Sequence, residues 1–84
     1  MTSLVRTMYK TELFDIHYSG SYIILVKNPG GILQLSSANS DKLSDELTLA
    51  LKKFNGDTIS LDSRVDWLCD KYFRMQNGTD FRNN

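Results

Sequence analysis

Between Glu12 and Ser36 two runs alternate apolar and polar positions on either side of a wholly apolar one. In "ELFDIHYS" Phe14, Ile16 and Tyr18 alternate with Leu13, Asp15 and His17, the period of a strand with one face buried. "YIILV", Tyr22 to Val26, is apolar on both sides and reads as a central strand, and "ILQLS", Ile32 to Ser36, alternates again. Gly20-Ser21 between the first two runs predicts a two-residue hairpin with glycine in the first central position. From Leu43 the period lengthens. Leu43, Leu47, Ala50, Leu51 and Phe54 form a helical stripe, with Ser40 as the expected N-cap, Lys52 and Lys53 near the C-terminus and Gly56 as the stop. "DTISL", Asp57 to Leu61, reads as a connector or edge strand. Asp62 or Ser63 then caps a second helix with Val65, Leu68, Cys69, Tyr72 and Gln76 on one side and Gly78 at its end.

"KNPGG", Lys27 to Gly31, links the second and third strands. A phosphate-cradling loop offers several free amides and opens a helix. Here Pro29 removes one amide, the loop leads into a strand, and no Lys-Ser/Thr pair follows. The stretch is a turn. A type I turn with Gly31 in a bulge sets Asn28 opposite Ile32 and Leu25 opposite Leu35. One sheet face then carries Phe14, Ile16, Tyr18, Ile23, Leu25, Leu33 and Leu35, and a shorter loop would bring Gln34 and Ser36 onto it.

The expected fold is α+β: a three-stranded antiparallel β-meander with two C-terminal helices packed on one face. All 84 residues are expected to form one compact domain, with 1–10 as an N-terminal arm or short helix and 79–84 as a frayed tail. The other face holds Tyr22, Ile24, Val26 and Ile32, to be covered by the N-terminal arm (Leu4, Val5 and Met8), by a partner or by a second copy.

Composition narrows the function. Ten basic residues balance ten acidic ones, which argues against an acidic DNA mimic and, more mildly, against a nucleic-acid binder. No apolar run approaches a membrane span, and "MTSLVRTMYK" lacks a signal peptide's apolar core. The one cysteine, Cys69, fits a reducing, cytoplasmic setting.

Candidate chemistry is sparse. One histidine and one cysteine cannot close a zinc site, so no metal or cofactor is expected. Cys69 belongs to the buried stripe and His17 to the opposite sheet face, which parts the only Cys-His pair. The protein is expected to be a non-enzyme with no catalytic residues. Trp67 lies about 200° around the helix from Val65, with Lys71 and Arg74 on its side and Arg64 flanking it. An exposed tryptophan among cations can stack on a base or anchor a protein interface, and Asp66 and Asp70 beside it favour the protein. The bland alternative is a Trp67 packed on the connector or arm beneath Arg74.

The expected function is stoichiometric binding, as an inhibitor or regulator of a larger protein or ribonucleoprotein complex. The partner-binding candidates are Trp67, Lys71, Arg74, Arg64, Tyr22 and Ile24. In size and build, though not in any motif, the chain resembles phage- or plasmid-encoded inhibitors of host defence complexes, anti-CRISPR proteins among them. The alternatives are a small nucleic-acid-binding regulator and a self-associating structural protein, a homodimer where the first reading gives a monomer.

Overall fold

The computed structural model describes residues 5–76. Four strands, β1 (Val5–Lys10), β2 (Phe14–Ser19), β3 (Tyr22–Lys27) and β4 (Ile32–Gln34), precede two helices, α1 (Ser37–Lys53) and α2 (Thr58–Gln76). The strands form one antiparallel sheet in the order β1-β2-β3-β4, so the α+β class holds with four strands in place of three. The tail 79–84, Gly78 and Leu4 lie outside the described residues.

The added strand is the stretch expected to be an arm or short helix. β1 extends the sheet beyond β2 and so does not fold beneath it. Its ladder breaks between Thr7 and Tyr9, so that Arg6 stands opposite Tyr18 and Tyr9 opposite Ile16. A step of two on β2 is matched by a step of three on β1, the mark of a bulge. That extra residue erases the two-residue period and leaves a spacing that reads as a helix.

β2 and β3 pair as their pattern dictates, Tyr18 with Ile23 and Ile16 with Leu25, around a loop where Gly20 has φ +64°. The β3–β4 register differs from expectation by two residues, since Leu25 faces Leu33 and Val26 faces Ile32. The Asn28 N–H donates to the Leu13 carbonyl on the β2 side at 2.8 Å, and the loop closes instead through the Lys27 N–H and the Gly31 carbonyl at 2.7 Å. The loop is therefore Asn28-Pro29-Gly30, with a cis bond before the proline where a type I turn was expected. A slip of two keeps the face, so Leu33 and Leu35 still point at the helices.

Phe14, Ile16, Ile23, Leu25 and Leu35 from this face are buried against Leu43, Leu47, Val65, Leu68, Cys69 and Tyr72, with Tyr9, Tyr18, Leu33, Leu61 and Phe73 at the margin. Both helices thus share one side of the sheet. α1 begins earlier than expected. Ser36 is its cap, its Oγ accepting from the Asn39 N–H at 3.1 Å, while Ser40 is buried one turn inside. Leu51, placed on the core stripe by spacing, is half exposed. α2 also begins early. Asp57 caps it by accepting from the Ser60 N–H at 3.1 Å, so "DTISL" is its first turn and Asp62 and Ser63 lie within it. That bond holds the Asp57 carboxyl below its usual range.

Candidate binding groove between the helices

The turn at Phe54–Asp57 folds α2 back along α1. Glu46 meets Lys71 and Tyr72 at one end and Phe54 meets Arg64 at the other, so the helices run antiparallel. Their core stripes face the sheet, and their outer flanks leave a shallow cleft of about 230 Å³ lined by Leu49, Phe54, Arg64, Trp67, Lys71 and their neighbours. A second hollow of about 310 Å³ continues it past Phe54 and Trp67 to Ile59 and Ser63. Trp67 is 57% exposed, Leu49 64% and Ile59 82%, which makes this a continuous apolar surface. Trp67 is not core.

Three cations edge the aromatic floor. The Lys71 ammonium lies 5.0 Å and the Arg64 guanidinium 5.5 Å from the Trp67 ring centroid. Arg64 also reaches Phe54 at 5.8 Å, and Lys53 covers the same ring at 5.5 Å. All lie within the ~6 Å at which a ring face attracts a cation. Lys71 is neutralised by Glu46 at 3.2 Å, and the Glu46 carboxylate also accepts from the Tyr72 hydroxyl at 2.8 Å. Arg64 and Lys53 make no ion pair among the described residues.

Of the residues singled out from sequence, the structure brings Trp67, Arg64 and Lys71 together. It draws Arg74 elsewhere: the Arg74 Nε lies 2.8 Å from Asp70, which also meets Lys27 at 4.0 Å. Tyr22 (41% exposed) and the half-buried Ile24 sit on the sheet face turned away from the helices, remote from the groove in the layer order. Leu49, Phe54, Ile59 and Lys53 were missed. The first two were hidden because Phe54 matches a core stripe by spacing and Leu49 carries no pattern of its own. Ile59 lies in a segment whose pattern reads as a connector or edge strand and not as the first turn of α2.

Cys69 is fully buried, and burial, aided by the nearby Asp66 charge, pushes its thiol up to about 12 from 9.0. His17 is half-buried at a position that alternates with the core-facing Ile16 and Tyr18. Among the described residues no three His, Cys, Asp or Glu side chains converge, and no helix is long and apolar enough to cross a membrane.

The chain matches no family model, curated protein or solved structure.

Proposed function

We propose that this protein is a non-enzymatic binding module that engages a larger protein stoichiometrically, as an inhibitor or regulator, through the groove between α1 and α2. One observation carries the reading: Trp67 is 57% exposed beside Leu49 and Ile59, with Arg64 and Lys71 against its ring. Large apolar side chains left in water are costly unless a partner covers them. Tryptophan and arginine are also the side chains that most often dominate interface energetics. Cys69, the one thiol, is buried in the core and takes no part in this surface.

The test is capture from lysate of the cells that carry the protein, with and without nuclease, using the wild type and Trp67→Ala. One protein retained at a fixed ratio after nuclease, and lost by a folded Trp67→Ala variant, is the expected result. Capture that vanishes with nuclease assigns the surface to nucleic acid. Capture indifferent to Trp67→Ala removes the groove from the interface.

Self-association is a second reading, favoured by the exposed Tyr22 and the 74%-exposed Ile32 on the sheet face away from the helices. Light scattering decides it, and a strict monomer at high concentration removes it.

A further inference from the structure

We infer that the groove takes an acidic segment of the partner protein, an amphipathic peptide that presents a large apolar anchor between aspartate or glutamate side chains. The inference rests on the protein-binding reading above and adds the chemistry of the occupant.

The charge of the lining is the first argument. Lys53, Arg64 and Lys71 face a single carboxylate, Glu46, and that carboxylate is already held by Lys71 and the Tyr72 hydroxyl. The groove therefore has a net positive edge on a chain whose total charge is zero. Arg64 supplies the focus. Its guanidinium lies between the Phe54 and Trp67 rings, 5.8 and 5.5 Å from their centroids. A guanidinium within cation–π reach of two rings and without an ion pair among the described residues can hold a carboxylate through two parallel bonds.

Shape is the second argument. From Glu46 to Phe54 the cleft follows about two turns of α1, or ~12 Å at 1.5 Å per residue. That length suits a short helical segment with anchors at i, i+3 or i+4, and i+7. Leu49, Leu68 and Trp67 line it between these ends, and Phe54 joins it to the second hollow.

A nucleic acid fits less well. Its bases would stack on Trp67 and its phosphates would meet Arg64 and Lys53, but Leu49 and Ile59 are aliphatic, strongly exposed and of no use to a stacked base. An acidic peptide with an apolar anchor covers the aliphatic surface and satisfies the cations together.

The experiment is selection of a displayed library of random linear peptides on the intact protein, with oligothymidylate as a parallel probe. Enriched sequences should set Asp and Glu around a Leu, Phe or Trp. Their binding should fall about tenfold or more in both Trp67→Ala and Arg64→Glu. Arg64→Gln, which removes the charge without reversing it, should give a smaller loss, and circular dichroism checks that each variant is folded. Peptides that need Trp67 but carry neutral or basic flanks, or that ignore Arg64→Glu, overturn the acidic occupant and leave the protein-binding reading standing. If no enriched peptide depends on Trp67, or if oligothymidylate binds in their place, both fall.

Discussion

The Ser40 hydroxyl stands inside the β3–β4 ladder, taking the Ile23 N–H at 2.9 Å and donating towards the Leu35 carbonyl at 3.5 Å. Ile23 and Leu35 face each other and exchange one direct bond, from the Leu35 N–H to the Ile23 carbonyl at 2.8 Å. A regular ladder would supply the second bond directly. Here the first turn of α1 wedges a hydroxyl into that place, which fixes the helix on the sheet. Ser40→Ala leaves the Ile23 N–H buried without a partner, at a cost of ~1–3 kcal/mol. Urea unfolding measures it, with the exposed Ser37→Ala as control, expected within ~0.5 kcal/mol of wild type. Equal effects of the two would show that the hydroxyl does not hold the ladder.

Gln76 closes the outer edge of the sheet. Its Nε2 donates to the Gln34 carbonyl at 2.8 Å, and its Oε1 accepts from the Ser36 N–H at 2.6 Å and from the Asn39 side chain at 3.1 Å. One side-chain amide thus bonds two groups on the free side of β4, the edge where another strand could otherwise pair. Gln76→Ala should lose ~1–2 kcal/mol and raise self-association in sedimentation. Gln76→Glu keeps the acceptor and loses the donor, so it should fall between the two. A Gln76→Ala variant as stable and as monodisperse as wild type would rule the role out.

β2, the buried sheet face and both helices were legible from their periods, and β3 from a short, wholly apolar run between turn signals. Phe14, Ile16, Ile23 and Leu25 repeat every two residues, and Val65, Leu68, Cys69 and Tyr72 every three or four. β1 was not legible because its bulge breaks that period. Ser40 was misread because a serine ahead of a helical stripe looks like a cap, and only the tertiary structure shows its hydroxyl turned to β3. Trp67, Arg64 and Lys71 could be grouped from spacing on a single helix. The α1 side of the groove could not, because Phe54 and Leu49 join it only once α2 has folded back.

The sheet's two faces should respond differently to truncation. Leu25 is fully buried and Leu25→Ala should cost ~2–5 kcal/mol, a loss set by the transfer term and the cavity left behind. Ile32 lies on the other face with most of its surface in water, so Ile32→Ala should stay within ~0.5 kcal/mol. Comparable losses at both would mean that something covers the open face in solution.

The loop glycines should differ in the same way. Gly30 has φ +76° and open space where a Cβ would stand, so Gly30→Asn, which tolerates the left-handed region, should cost under ~1 kcal/mol. Gly31 has φ +133°, and a Cβ there would come within 3.3 Å of the Phe73 ring. That ring packs on Phe14 at 6.1 Å and lies beneath the Lys27 ammonium, so it has little room to yield. Gly31→Asn should cost ~1–3 kcal/mol from the backbone alone and more from the contact. Matching melting temperatures for the two variants would refute the contact with Phe73.

Alkali should unfold the protein through groups that are neutral when folded. The hydrogen bond to Asp62, with burial and the Asp62 and Asp66 charges, raises Tyr9 to about 12 from 10.0. Burial, with the Glu46 hydrogen bond and charge, raises Tyr72 to about 12 from 10.0. Burial, with the Asp66 charge, raises the Cys69 thiol to about 12 from 9.0. In each case the folded chain keeps a proton that the unfolded chain releases at lower pH. Stability from these groups is therefore complete below pH 9.0, declines as the unfolded thiol and then the phenols ionise, and is lost by about 12. Urea midpoints measured across that window should fall with rising pH, and Cys69 should react with a disulfide reagent only as fast as the chain opens. Tyr9→Phe and Cys69→Ala should each flatten the decline, the second by removing its earliest part. A midpoint that holds steady through the window, or a Cys69 that reacts at the rate of a free thiol in the folded protein, would show that these groups are not withdrawn from water.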